Sequence, residues 1–264
     1  MTNQPTFNFL THNQSAWDKQ ALAQHEWSRP VSSELTTAAR NGQWEVHLTP
    51  QPLDKSWLGN IKGKRILCLA SAGGQQGPIL AAAGAEVTVY DLSIEQLNQD
   101  KMVAERDGLT LQTVQGDMTN LQAFAPDTFD LIFHPISNLY VPDVNGVWQA
   151  CYRVLKPGGA LLSSFYNPVV FIGDRNPEYK DQGIIKPRYK VPYADVKDLE
   201  PADIERKVNA GEALVFGHSL TDLIGGQTKA GFVLTGFYED FQPRPRFLVD
   251  HYLPTFLATR AVKL

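Results

Sequence analysis

Lys64-Arg-Ile-Leu-Cys-Leu-Ala-Ser-Ala-Gly-Gly-Gln-Gln-Gly77 carries an apolar run into a turn of small residues and out into Pro78-Ile-Leu-Ala-Ala-Ala83. The apolar run reads as a buried strand and the alanine-rich run as a helix, so the turn between them is a strand-turn-helix grip for a nucleotide. Small side chains let the backbone approach a ligand, and the free amides that open a helix attract a carboxylate or phosphate. Pro78 falls in the first helical turn, where its missing amide hydrogen has no intrahelical partner to lose. Further signals follow in order: Asp91 ends a second strand, Gly116-Asp117-Met118 ends a third, and Arg153-Val-Leu-Lys-Pro-Gly-Gly159 introduces a fifth.

The same alternation extends outward. Gly84 closes the first helix before the strand Glu86–Tyr90. Ser93 with Gln96 makes a capping box for a helix that runs to about Arg106 and is stopped by Gly108. Thr110–Val114, Phe129–Phe133 and Ala160–Phe165 read as strands and Val144–Leu155 as a helix. Strands and helices in this rhythm predict an α/β fold, Rossmann-like and doubly wound, with a mostly parallel sheet covered by helices on both faces.

Outside this core the pattern changes twice. Residues 1–60 are polar and interrupted, yet Trp17, Trp27, Trp44 and Trp57 supply four of the chain's 5 tryptophans, which predicts an N-terminal cap or lid rather than a disordered arm. Helices are expected around Ala16–Gln24 and Ser33–Asn41, with Trp17 the lid candidate and Trp44 and Trp57 in the cap's own core. After the 61–168 core, residues 169–215 break the rhythm with Pro177, Pro187, Pro192 and Pro201, an insertion long enough to shape a pocket on the substrate side. Residues 216–264 return to the core: Ser219 caps a short helix that stops near Gly231, and Phe232–Glu239, Arg246–Val249 and Phe256–Lys263 offer closing strands.

A chain of 264 residues can bury a full core as one domain with or without a cap. No apolar run is long enough to span a bilayer. The opening Met1-Thr-Asn-Gln-Pro-Thr-Phe7 lacks the basic start and apolar segment of a secretory signal, so a cytoplasmic protein is expected. Cys68 in a strand and Cys151 in a helix read as buried free thiols, and no metal-ligand spacing occurs. A net charge of −4 disfavours nucleic acid as a partner. Whether the chain is a monomer or a homodimer stays open.

Taken together, these residues resemble the class I S-adenosylmethionine-dependent methyltransferases, over roughly 61–168 and again in the closing helix and strands. The run Leu69-Ala-Ser-Ala-Gly-Gly-Gln-Gln-Gly77 also looks like a bacterial subgroup of that family. The family's first motif has an acid and then glycines at alternate positions. Here cysteine replaces the acid and alanine stands at two of the glycine positions, within Cys68-Leu-Ala70-Ser-Ala72-Gly-Gly74. The resemblance implies a seven-stranded sheet, S-adenosylmethionine as cofactor, and a small-molecule methyl acceptor. It sets Ala70, Ser71, Ala72, Gly73 and Gly74 beside the methionyl part, Asp91 and Leu92 at the ribose, and Gly116, Asp117 and Met118 at the adenine. His134, Pro135 and Asn138 then lie where donor and acceptor meet.

Each assignment has a plainer counterpart. Asp91 could start the turn capped by Ser93, and Asp117 could be a turn residue after Gly116. Gln75 and Gln76 could hold a methionyl carboxylate or be solvated first-turn residues. If the acceptor must lose a proton, His134, His218 and Tyr140 are the base candidates, with His134 best placed, while His12, His25, His47 and His251 read as surface or packing residues. Two rival functions remain. A nicotinamide-dependent oxidoreductase would use Ala72-Gly-Gly74-Gln-Gln-Gly77 as a degenerate dinucleotide fingerprint. It leaves Gly116-Asp117-Met118 unexplained, and in the short-chain class it also calls for a Tyr-x-x-x-Lys pair for proton transfer. A non-catalytic S-adenosylmethionine-binding domain is the other.

Overall fold

A computed structural model describes residues 8–264. Residues 1–7, on which the leader reading and the start of the expected cap fall, lie outside the described residues. The N-terminal segment forms helices α1 (Phe9–Leu22) and α2 (Ser33–Arg40). The expected first helix begins earlier than Ala16 because the Asn8 side chain accepts a hydrogen bond from the Thr11 amide and caps it there.

The core then alternates: β1 (Arg65–Leu69), α3 (Gln76–Ala82), β2 (Glu86–Asp91), α4 (Ile94–Asp107), β3 (Leu111–Gln115), β4 (Phe129–His134), α5 (Val144–Val154) and β5 (Leu155–Tyr166). The insertion holds α6 (Pro177–Asp181), β6 (Tyr193–Ala194), α7 (Asp195–Asp198), α8 (Pro201–Ala210) and β7 (Phe216–Gly217), with β6 and β7 paired as a separate two-stranded sheet. A π-helical turn over Thr221–Gly225 leads into α9 (Gly226–Lys229), then β8 (Phe232–Asp240) and β9 (Phe256–Lys263) close the main sheet.

Its order is β3-β2-β1-β4-β5-β9-β8. Strands β1 to β5 are mutually parallel, and β9 runs antiparallel between β5 and β8. Successive residues of β1 alternate between the two faces. Ile66 and Cys68 join one core with Leu80 and Leu97, to which the N-terminal segment adds Ala39, Val46 and Leu48. Leu67 and Leu69 join the other with Val147, Trp148 and Cys151 of α5. Both faces are therefore dry, which is why the strand reads as an unbroken apolar run.

Two expectations are corrected. Arg246–Val249 is not a strand, because the amides of Arg246 and Phe247 both donate to Asp250 Oδ2 at 2.7 Å and the chain turns into a short helical segment, Leu248–His251. Lys156-Pro-Gly-Gly159 is a bulge within β5, where pairing steps from Phe129–Leu155 to Leu131–Ala160. Cys68 and Cys151 are both buried and free. Among the described residues no helix is long and apolar enough to cross a membrane, and no cluster of ligating side chains could hold a metal ion.

Candidate active site

Strand order reverses between β1 and β4, so the carboxyl ends of these strands border a crevice, the usual ligand position in an open α/β sheet. The turn after β1 lies at its mouth. Ala70 and Ala72 have φ of +47° and +68°, and Gly74 has +70°. Three alternate residues thus take left-handed backbone, although two carry a Cβ that makes this cost about 1–2 kcal/mol each. The substituted alanines follow the same kind of path that glycine would take freely.

What imposes that path is α4. Its Gln96 and Asp100, one helical turn apart on one face, take the turn's amides: Gly73 N donates to Gln96 Oε1 at 2.6 Å and Gly74 N to Asp100 Oδ1 at 3.0 Å. Gln96 Nε2 in turn donates to Ser28 Oγ at 2.6 Å. Asp100 is fully buried, and burial pushes its carboxyl well above the usual range. On the other side Ser137 Oγ donates to Ala70 O at 2.6 Å, and Val31 N to Gly74 O at 2.8 Å.

Above the crevice is a cavity of about 750 Å³, large enough for a nucleoside-sized ligand with a second small molecule. Ala70, Ser71, Ala72, Gln75, Asp91, Leu92, Gly116, Asp117, Met118 and Pro135 all line it. Asp91 ends β2; its Oδ1 accepts from Ser93 N at 2.8 Å, and its carboxylate borders the cavity. Burial, with the Asp18 carboxylate adding to it, pushes the Asp91 carboxyl up to about 7. Asp117 folds over its own turn, Oδ1 accepting from Thr119 N at 3.0 Å and Oδ2 from Thr119 Oγ1 at 2.7 Å. Each of those oxygens keeps a lone pair. Ser71 Oγ is buried in the cavity wall with no hydrogen-bond partner among the described residues.

Four expected site residues do not line this cavity. Gly73 and Gly74 have their amides turned back onto α4, as above. His134 is fully buried: its Nδ1 lies 2.9 Å from Leu69 O, its ring meets Trp148 edge-on, and burial lowers its pKa to about 4. It is a neutral packing residue at the end of β4, and its place as the base is corrected accordingly. Asn138 Nδ2 donates to Ser164 O at 2.7 Å, and its carbonyl lies 3.1 Å from His218 Nε2, so both are tied into the wall behind the cavity. Burial lowers the His218 pKa as well.

The glutamines at the start of α3 do something the sequence did not foretell. Gln75 Nε2 donates to Glu26 O and Arg29 O at 3.2 and 3.0 Å, and Gln76 Oε1 accepts from His47 N at 3.0 Å, so the pair pins the N-terminal segment over the crevice. Trp17 lines the cavity and meets Tyr140 edge-on at 5.1 Å, whereas Trp44 and Trp57 pack against the core. His25 and His47, read from sequence as surface or packing residues, line the cavity, with His47 Nε2 3.6 Å from Glu45 Oε1.

The insertion contributes Val170, Phe171, Arg175 and Lys207 to the lining, the segment before β9 adds Arg246, and β9 itself adds Phe256. Only the proline punctuation hinted at this. Lys207 Nζ is paired with fully buried Asp195 Oδ2 at 2.6 Å. The Tyr-x-x-x-Lys spacing of the rival dehydrogenase reading occurs at Tyr152/Lys156, neither of which lines the cavity, and at Tyr193/Lys197. Tyr193 OH, however, donates to Asp195 at 2.6 Å, and neither residue lines the cavity.

A family described as a methyltransferase domain matches residues 67–163. The uncharacterized methyltransferase YbaJ of Bacillus subtilis (strain 168) is 49% identical over 256 residues, spanning 97% of this chain and 98% of its own. A ubiquinone biosynthesis O-methyltransferase of Actinobacillus pleuropneumoniae serotype 7 (strain AP76) is 33% identical over 135 residues, 48% of this chain and 58% of its own. Among solved structures, an S-adenosylmethionine dependent methyltransferase from Mesorhizobium loti superposes with a TM-score of 0.60 at 20% identity, covering 79% of this chain and 95% of that one.

Proposed function

The chain belongs to the methyltransferase family, and from that premise we propose that its cavity holds S-adenosylmethionine beside a small-molecule acceptor for in-line methyl transfer. The observation that carries the site assignment is the meeting of Ser71, Asp91, Asp117 and Met118, from three different strand ends, in one cavity wall. The chemistry of that wall suits the cofactor. Asp91 Oδ2 accepts from ribose hydroxyls, Asp117 accepts from an adenine amino group, Met118 gives the base an apolar face, and the partnerless Ser71 Oγ finds a polar atom.

S-adenosylmethionine supplies an electrophilic methyl on a sulfonium, so the protein's main task is alignment. Holding two reactants in line supplies up to roughly 7–11 kcal/mol of the barrier. The N-terminal segment, pinned by Gln75 and Gln76, and the insertion enclose the acceptor and exclude water. Where an acceptor gives up a proton, His47 is the cavity imidazole beside the start of α3 with a carboxylate partner, whereas His134 is sealed away.

Parallel calorimetric titrations with S-adenosylmethionine, S-adenosylhomocysteine and NADH test the reading. Micromolar binding of the first two without the third is the expected result, and binding of NADH alone would overturn it.

A further inference from the structure

We propose that the methyl acceptor is anionic: a small apolar or aromatic molecule whose carboxylate or phosphate is held by Arg175 and Arg246. The inference rests on the methyltransferase reading for the identity of the neighbouring ligand and on the arginines for its own content. Arg246 precedes β9, and its guanidinium lies near the phenol of Tyr166 at the end of β5, whose pKa it acts to lower against the rise from burial. Asp91 ends β2, three strands away across the sheet, which at the usual spacing is roughly 14 Å. Asp91 and Arg246 are therefore well separated along one cavity, whose lining also includes Glu26 and Glu212.

Neither guanidinium has a carboxylate within 4.0 Å among the described residues, whereas Arg106, Arg188, Arg206 and Arg244 each do. Arg175 lies over the rings of Tyr193 and Phe247 at 5.5 and 6.0 Å, and Arg246 over Phe247 at 5.7 Å. Their shared support orients both without neutralising either. The nearby acid, Asp250, spends its Oδ2 on the Arg246 and Phe247 amides, and Lys207 is already neutralised by Asp195.

Two oriented arginines without a carboxylate partner among the described residues, lining a cavity in a chain of net charge −4, form a local anion site against the overall sign. Phe171, Val170 and Phe256 beside them offer apolar surface to the rest of the molecule. A sulfonium donor on the Asp91 side and an anion beside the arginines would each meet complementary charge.

Protein saturated with S-adenosylhomocysteine is titrated with benzoate, phenyl phosphate and neutral benzyl alcohol. At least one anion should bind about tenfold or more tightly than the alcohol, and less tightly as salt is raised. The double variant Arg175→Ala/Arg246→Ala should lose that preference while keeping its melting temperature and its S-adenosylhomocysteine affinity. Absence of any anion preference in the native protein, or its survival in the double variant, overturns the proposal. If S-adenosylhomocysteine itself fails to bind, the cofactor reading falls, and the same titrations without it still read the arginine site.

Discussion

Replacing Asp91 by asparagine should make the protein more stable and, at the same time, a poorer binder of S-adenosylmethionine. Burial and the neighbouring Asp18 push the Asp91 carboxyl up to about 7, against the favourable amides of Ser93 and Leu92. A carboxyl raised in the folded state holds a proton that the unfolded chain has already released, so its contribution to stability falls as pH climbs from the ordinary carboxylate value to about 7. The full shift corresponds to about 4 kcal/mol at pH 8, reduced to about 2 kcal/mol because the group faces a solvated cavity. The substituted amide keeps the acceptor for Ser93 N and removes the charge, so the gain should be about 2 kcal/mol at pH 8 and about a third of that at pH 5, where the folded carboxyl is neutral but the unfolded one has already ionised. Binding moves the other way. Losing an ionised acceptor for ribose hydroxyls costs about 1.5–3 kcal/mol, or roughly 10- to 150-fold in Kd. In the native protein the affinity should rise with pH up to about 7, and in the variant it should be flat. Urea denaturation at the two pH values, with calorimetry of S-adenosylhomocysteine, reads both. A variant destabilised at pH 8, or one that binds as tightly as the native protein, refutes the reasoning.

Other perturbations separate packing from chemistry. A Cβ on Gly73 would stand 2.3 Å from the main-chain oxygen of Gln96, so Gly73→Ala should lower stability by about 3 kcal/mol as α4 is pushed off the turn, measured as a fall in melting temperature. His134→Ala leaves Leu69 O unpaired and opens a cavity under Trp148, with an expected loss of about 2–4 kcal/mol. S-adenosylhomocysteine should bind the folded variant as before, and a loss of turnover without any loss of stability would restore the base role. Lys207→Met strands the buried Asp195 carboxylate and should lower stability by about 3–5 kcal/mol in denaturant titration, part of which returns in Lys207→Met/Asp195→Asn.

The central strands were legible because both faces of the sheet are covered, so β1 is an unbroken apolar run after Arg65, and β2 and β4 are mostly apolar, interrupted inside only by Thr88 and Asp130. Asp91, Asp117 and Met118 were legible for a related reason: residues at or just past the carboxyl end of a strand border the crevice. His134 shows the limit of that rule. Like Asp91 it is the last residue of its strand, but its side chain turns inward under Trp148, and the next residue, Pro135, enters the cavity instead. Arg246–Val249 has strand-like composition, but the carboxylate of Asp250, one residue beyond the run, captures its amides.

The roof was the least legible part. His47, Arg175, Lys207 and Arg246 reach the cavity through docking of distant segments, which no local periodicity records. Gln96 and Asp100 did leave a signal, two polar residues one turn apart on a helix face that packs inward. The alanines at 70 and 72 concealed the turn's conformation, because its left-handed backbone is enforced by those α4 contacts and not by glycine.

The most direct test of the account is a crystal structure with S-adenosylhomocysteine bound. The account predicts ribose hydroxyls on Asp91 Oδ2, the adenine between Asp117 and Met118, and the sulfur facing the space toward Tyr140, with Arg175 and Arg246 clear of the cofactor. Ribose away from Asp91, or a cofactor carboxylate on either arginine, would contradict it.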